Sequence, residues 1–347
     1  MVAPSVSVSI LATFDAGTIG QCLESVLALD YDGPLDIHVR EHGGDDHQFE
    51  ILREVAATAP SERPVTLTRG ENVGFAVGHN MAMRESTGEL VLLVNADATL
   101  APDFLVQGLP AFDDPRVGAV QAKLLRPADE TGPTGRPMID TAGMVASRQR
   151  LFSERGHGEE DAGGYDCVAE VFGADGAVPI YRRAALDDVA IPLSLGVDRS
   201  RDGVEYFDET FFIYKEDVDL AWRLQHRAWK TLYVPSARAC HVRTMRGGSG
   251  GTLTILAQRR KLPAMGRKLS FGNQRLTLIK NDSPRALLRD AGPWLPKELA
   301  SWGVVFSEGI GPGAVRRLVR LTPSALRKRR WIRAHRHPDA DPERWFE

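Results

Sequence analysis

Carboxylates crowded among aromatic rings are the first feature of this chain that could do chemistry. Between Tyr206 and His241 the sequence reads YFDETFFIYKEDVDLAWRLQHRAWKTLYVPSARACH, setting Asp208, Glu209, Glu216, Asp217 and Asp219 beside Phe207, Phe211, Phe212 and Tyr214. Burying a carboxylate next to a ring costs free energy unless a cation, a hydrogen-bond donor or a proton-transfer role compensates. The segment therefore reads as the wall of an active site. For Glu216 and Asp219, an acidic first helical turn suited to the helix dipole explains the same residues equally well. A second candidate is LVLLVNADAT at 90–99. A buried strand ending in Asn95-Ala96-Asp97 sends two oxygen-bearing side chains to one side of an extended chain, where they could hold a hard divalent cation bridging phosphates. A polar turn capping the next helix accounts for the tripeptide just as simply.

The elements that must carry these groups alternate. Strand-like runs at 6–11, 35–40, 65–68 and 90–94 are separated by helical spacing at 18–29, 50–59 and 73–86. That rhythm predicts a parallel sheet of βαβ units with its ligand at the carboxyl ends of the strands. From 124 to 165 the chain is rich in Gly, Pro and polar residues, which predicts loops and a mobile flap over the site. Strand character returns over 168–183. GGSGG after Met245 predicts a hinge, and Trp222 and Trp229 read as core.

A length of 347 residues, 43% hydrophobic and 26% charged, suits one large α/β domain with a smaller appendage. Three separated cysteines make no metal pair or disulfide framework, and the first residues lack the basic and apolar regions of a signal peptide, so a cytoplasmic protein is expected. No run of about 18 apolar residues predicts a membrane span. The net charge of −3 hides an asymmetry: residues 241–347 hold 22 Lys and Arg against 8 Asp and Glu, leaving an acidic body before them.

Taken in order, several motifs resemble the family 2 glycosyltransferases of GT-A fold, in their rhamnosyltransferase-like bacterial branch. They are the first strand at 6–15, ENVGFAVGHNMAM at 71–83, VNADA at 94–98, DGAVPIYRRAAL at 175–186, FDETFFIYKEDVDLAWRL at 207–224 and YVPSARACH at 233–241. The resemblance spans about 5–245 and implies a Rossmann-like, mostly parallel sheet flanked by helices. It divides the chain into a catalytic domain at 1–245 and a basic helical region at 246–347.

The resemblance also implies roles. Asp97 matches the metal-binding carboxylate of the DxD-type site, with Asn95 replacing the first Asp, and His241 matches the histidine completing ligation of Mg2+ or Mn2+. Asp217 matches the general base of the ED motif, with Glu216 orienting the site. Thr13, Asp15, Glu41, Asn72, Gly74, Phe75 and Asn80 match positions facing the nucleotide donor, Glu41 standing where an Asp contacts the base. Asp175, Gly176 and Ala177 match the floor of the acceptor site. The activity implied is inverting, metal-dependent transfer of a sugar, L-rhamnose from dTDP-rhamnose, onto a saccharide or polyprenyl-linked acceptor in cell-envelope polysaccharide synthesis. A UDP-sugar donor, a nucleotide-sugar-binding scaffold without turnover, and a nucleotidyltransferase stand as alternatives.

The tail FGNQRLTLIKND at 271–282 resembles the stretch that follows the catalytic domain in this branch. Farther on, AVRRLVRL and SALRKRRWIRAHRH interleave cations with apolar residues, a pattern suited to an anionic membrane surface, and the resemblance implies the inner face of the cell membrane. A helical subdomain packing on the body or on a second copy of the chain is the rival reading. No nucleic-acid partner is expected, because no recognised module is present.

Overall fold

The computed structural model describes residues 3–242 and 262–346; the expected hinge GGSGG and the boundary at 245/246 lie outside the described residues. Strand β1 (Val6–Ala12) is buried along its whole length, with β2 (Leu35–His42) on one side and β4 (Leu90–Asn95) on the other. β3 (Val65–Gly70) extends the parallel half of the sheet. Val, Ile and Leu fill these strands because helices cover both faces. α1 (Ile19–Leu27) buries Ile19, Cys22, Leu23 and Val26, a spacing that makes one apolar stripe. α2 (Asp46–Ala56) starts earlier than its apolar residues suggest, since Asp45 caps it by accepting the Gln48 N–H at 2.9 Å. α3 (Gly74–Glu85) follows β3. Register pairs Ala12 with Glu41 and Leu11 with Asn95, so three strands end at one edge.

Beyond β4 the sheet is mixed. β5 (Ala98–Leu100) and the long β14 (Lys230–His241) run antiparallel, β14 lies parallel to β6 (Val117–Leu125), and β11 (Pro179–Arg182) is antiparallel between β6 and β4. The sheet therefore runs β10-β14-β6-β11-β4-β1-β2-β3, with β10 (Ala169–Val171) at its edge.

Residues 124–165, expected as a mobile flap, are instead fastened. β7 (Ile139–Thr141) adds to β6, and β8 (Met144–Ala146) pairs with β9 (Phe152–Glu154). Lys123, wholly buried in β6, reaches out to Asp161 at 3.0 Å and Asp166 at 2.5 Å. Arg155 lies over the rings of Tyr165 and Tyr233, 4.7 and 5.5 Å from their centres. Gly and Pro set the turns of this segment, and long-range ion pairs hold it to the sheet.

After two short helices, α4 (Phe104–Gly108) and α5 (Arg183–Val189), the helix α6 (Glu216–His226) runs into β14. Helices α7 (Ala264–Asn281), α8 (Pro284–Arg289), α9 (Ala291–Ser307) and α10 (Gly311–Ala334) then pack on this half of the body. Phe211 meets Leu276, Leu321 and Ala325, and Trp222 packs with Phe172, Leu278 and Phe346. Charge reinforces the contact. Lys280 of α7 donates to Asp208 at 2.5 Å and lies 2.8 Å from Asp219, while Lys328 of α10 donates to Asp208 at 2.7 Å and meets Glu205. In the opposite sense, Arg150 of the body binds Asp282 and Asp290 at 2.7 and 2.8 Å. Part of the charge asymmetry along the sequence is thus complementarity within one fold. It also corrects the acidic wall: Asp208 and Asp219 stand behind the site as counter-ions of the C-terminal helices.

Candidate active site

At the end of β1, Thr13 and Asp15 form a tight turn in which the Thr13 N–H donates to Asp15 Oδ2 at 2.8 Å. Gln48 of α2 stitches this turn to β2. Its Oε1 accepts from the Asp15 N–H at 2.6 Å, and its Nε2 reaches Thr13 O at 3.3 Å and Glu41 Oε1 at 3.5 Å. Glu41 is wholly buried, and Arg69 of β3 lies 2.9 Å from its second oxygen. The carboxylate expected to face a nucleobase is therefore engaged by Arg69 and Gln48. Arg69 and Gln48 carry no local sequence signal, because each matters only through the register of neighbouring elements.

The NVGF segment turns between β3 and α3. Asn72 accepts the Gly74 N–H at 2.9 Å, and Gly74 takes φ of +81° with the Phe212 ring so close that a Cβ would lie 2.5 Å from it. Phe75 packs edge-on against Phe207, centres 5.6 Å apart. Asn80 turns away from the strand edge. Its Nδ2 donates to Phe207 O at 2.8 Å and its Oδ1 accepts from the Phe207 N–H at 2.8 Å, so it clamps α3 to the acidic-aromatic segment.

Asn95 and Asp97 end β4 as expected. The Asn95 N–H donates to Ala177 O at 2.8 Å, and within Asp175-Gly176-Ala177 the Asp175 carboxylate accepts the Ala177 N–H at 2.8 Å. Pairing of β14 with β5 sets His241 opposite Ala98, bringing its Nε2 to 3.2 Å from Asp97 Oδ1. On its far side Nδ1 donates to Asp140 Oδ2 at 2.8 Å, a carboxylate carried by β7. Sequence reasoning missed Asp140, which sits in a stretch read as loop. Burial disfavours a charged imidazole, but Asp140 and Asp97 outweigh it and push His241 up to about 9. Burial raises the Asp15 carboxyl, against the Thr13 N–H, and the charge of Asp97 adds to the rise, so both acids face one region.

Among the described residues no group of three or more Asp, Glu, His or Cys is gathered as a metal site. The pair Asp97 and His241 nevertheless fits a divalent cation. Cis ligands at the usual Mg2+ distance stand about 3 Å apart, close to the observed separation, and a histidine whose other nitrogen donates to a carboxylate is the usual arrangement behind a metal. Such a pair leaves the remaining coordination positions for substrate oxygens.

Glu216 and Asp217 open α6 after a strained turn. Phe212, Tyr214 and Lys215 have φ of 65°, 75° and 72°, each costing about 1–3 kcal/mol outside glycine. Asp217 is half-buried and accepts the Val218 N–H at 2.7 Å, with Gly176 packed against it, its ideal Cβ position 3.8 Å from Oδ2. Burial raises both carboxyls, and at Glu216 the charge of Asp217 adds. Glu216 is the more enclosed, its Oε2 buried without a hydrogen-bond partner among the described residues, and its carboxyl is held well above the ordinary range. Asp217 is also raised, but Lys215 and the N–H groups of Val218 and Gly176 oppose the rise. Burial and the charge of Asp217 thus raise Glu216 further than Asp217, so of the two carboxyls Asp217 is the one that gives up its proton more readily and can then accept one.

A family model described as glycosyltransferase-like family 2 matches residues 4–261. This chain belongs to that family. Curated relatives of this glycosyltransferase include an N-acetylglucosaminyltransferase of Rhizobium meliloti (strain 1021), 27% identical over 224 residues that cover 64% of the chain and 47% of the relative. Another, of Mesorhizobium japonicum, is 29% identical over 242 residues, 69% of the chain and 51% of the relative. The chain spans about half the length of these relatives. Among solved structures, the fold matches mannosyltransferase PcManGT from Pyrobaculum calidifontis, in complex with GDP-Man and Mn2+, at a TM-score of 0.52 and 18% identity over 96% of this chain and 88% of that one. GalNAc-T7 with UDP, GalNAc and Mn2+ matches at 0.54 and 12%, over 80% and 48%. The GT-A architecture of the glycosyltransferase is that of these neighbours.

Proposed function

We propose that this glycosyltransferase moves a sugar from a nucleoside diphosphate onto a saccharide or polyprenyl-linked hydroxyl with inversion. The observation that carries the reading is the hydrogen bond from the Asn95 N–H to Ala177 O. It ties the strand edge bearing Asp97 and His241 to the loop against which Asp217 packs, so a donor held at the first lies beside a base at the second. Asp217 takes the proton of the acceptor hydroxyl as that oxygen attacks the anomeric carbon and the bond to the diphosphate breaks. Asp97 and His241 would hold Mg2+ or Mn2+, which when bound would supply positive charge for the departing diphosphate. Glu216, the more enclosed of the two carboxyls, orients the pair, while Thr13, Asp15, Asn72 and Gly74 border the nucleotide and Asp175 to Ala177 floor the acceptor.

The relatives' name favours N-acetylglucosamine as the sugar moved, which suits the UDP-sugar alternative, and L-rhamnose from dTDP-rhamnose, implied by the motifs, comes second. The test is nucleotide binding and sugar transfer by the purified chain with dTDP-, UDP- and GDP-sugars, with and without Mn2+. Metal-dependent stabilisation by UDP or dTDP, with release of nucleoside diphosphate, is the expected result. Stabilisation by a nucleotide sugar without release of nucleoside diphosphate would put the non-catalytic scaffold first, and no stabilisation by any nucleotide would overturn both readings.

No helix of the described residues is long and apolar enough to cross a membrane. On α9 and α10, Leu295, Leu299, Phe306, Val315 and Val319 are nonetheless exposed, with Arg316 and Arg320 beside the last two. An apolar face edged by guanidinium groups supports peripheral contact with anionic lipid.

A further inference from the structure

The turn that delivers Glu216 and Asp217 is held largely by groups far away in the chain. Every carbonyl from Phe211 to Lys215 has a donor. Phe212 O accepts from the Ala76 N–H of α3 at 3.3 Å, and Lys215 O from the Asp219 N–H at 3.0 Å. The other three, of Phe211, Ile213 and Tyr214, converge on the amide nitrogen of Asn273 in α7, at 3.0, 2.9 and 2.8 Å.

We infer that Asn273 is a positioning residue for the proton-accepting carboxylate of Asp217, a role that rests on the reading of Asp217 as base. Three carbonyl oxygens facing one point can be served only by a donor, so the NH2 end of the amide must occupy it, its two hydrogens shared among them while Phe211 O also accepts the Ile213 N–H at 2.8 Å. The opposite oxygen, Oδ1, is buried without a hydrogen-bond partner among the described residues, which leaves the turn as the amide's whole purpose. Asn273 is wholly buried. Its short side chain projects from a helix that is itself pinned. Arg275 binds Glu298 at 2.8 Å, Lys280 binds Asp208, and Asn281 donates to Asp219 Oδ1 at 2.8 Å.

The turn needs such a clamp because Phe212, Tyr214 and Lys215 all occupy the left-handed region, which L residues leave when nothing holds them. Relaxation at Tyr214 or Lys215 rotates the start of α6 and moves the Asp217 carboxylate relative to Gly176. Asn273 lies outside the segment that the motifs mark as catalytic, yet it governs the geometry of that segment from below.

The test compares Asn273→Asp, which keeps the shape and turns an oxygen toward the three carbonyls, with Asn273→Ser, which shortens the donor without adding charge. Gln274→Ala is the control. Gln274 neighbours Asn273 on α7 but bonds Arg150 O at 2.8 Å instead of the turn. Three quantities are read on the full chain: kcat against donor affinity, amide hydrogen exchange at Ala76, Ile213 and Asp219, whose N–H groups bond carbonyls of the turn, and the urea midpoint. Both Asn273 variants should lose about 10²-fold in kcat, the cost of a small misplacement of a reacting group, with donor affinity changed by less than about twofold. Exchange at Ala76, Ile213 and Asp219 should quicken in both, while Gln274→Ala keeps kcat and the parent's exchange at any equal loss of urea resistance. Unchanged exchange in the Asn273 variants, or a kcat loss no larger than in the control, overturns the inference. The base assignment fails separately: Asp217→Asn would then retain turnover while the Asn273 variants still loosen the turn.

Discussion

His241 and Asp140 form a buried pair in which Nδ1 donates to Oδ2 at 2.8 Å, leaving Nε2 aimed at Asp97. The pair joins the last strand of the sheet to a segment whose sequence signals only turns. When a bound cation displaces the second proton of the imidazolium, Asp140 keeps the remaining proton on Nδ1 and so turns Nε2 to the ion in the proposed site.

Asp140→Asn should therefore weaken Mn2+ binding by about 10–100-fold, the usual effect of removing a carboxylate behind a metal-bound histidine. Calorimetric titration of Mn2+ in the presence of UDP measures this directly. Equal affinity in variant and parent would mean that His241 does not ligate the ion.

Asp217→Asn should lower kcat by about 10²–10⁴-fold, the range for loss of a general base, while donor affinity stays near that of the parent. Glu216→Gln should cost much less, since Glu216 orients the pair and takes no proton from the acceptor. Steady-state kinetics of both variants distinguish the two carboxyls. A larger loss at Glu216 would exchange their roles.

Burial opposes charge on Asp208, but Lys280 and Lys328 outweigh it and hold the carboxyl well below the ordinary range. Lys328→Met leaves Asp208 and Glu205 with one cation fewer in a dry interior. A loss of about 3–5 kcal/mol in urea unfolding is expected, as for other broken buried pairs. A loss under about 1 kcal/mol would show that water reaches the network.

Burial pushes the His79 imidazole down to about 3 and His226 down to about 4, from an ordinary value of 6.5. Below that ordinary value the unfolded chain binds protons that the folded chain refuses. The stability these neutral histidines contribute is thus complete above it and drains as pH falls towards 4, at up to about 1.4 kcal/mol per pH unit for each. Urea unfolding between pH 7.5 and 5 should give a shallower slope in His79→Gln than in the parent. Identical slopes would place a proton on His79 in the fold.

The 347-residue chain should sediment with anionic vesicles and not with neutral ones, and Leu299→Asp with Val319→Asp should reduce that association at least about tenfold. Association that survives both changes would move the contact away from α9 and α10.

The first four strands and the ends that carry Thr13, Asn95 and Asp97 were legible because β-branched runs and their turns are local signals. β6 was not, since Gln121 and Lys123 break its apolar pattern. Both are buried, Lys123 only because Asp161 and Asp166 come back to meet it. The acidic wall was half legible. Glu216 and Asp217 open α6, with Asp217 against Gly176 in the proposed site, whereas Asp208 and Asp219 answer cations far along the chain that no local window contains. Asn80 looked like a donor contact because its motif faces the strand edge, but one helical turn rotates it onto the Phe207 backbone.

The ion network beneath the acidic segment also sets an order in time. Lys328 follows Asp208 by 120 residues, so at about 5–20 residues per second a ribosome needs roughly 6–24 s to supply the second cation. Through that interval the first strands can already pair, yet Asp208 is only partly neutralised and the turn before α6 has an incomplete foundation. The nascent glycosyltransferase thus gains its architecture before its competence, and a chain stalled in that window would carry the motifs of the family without a settled base.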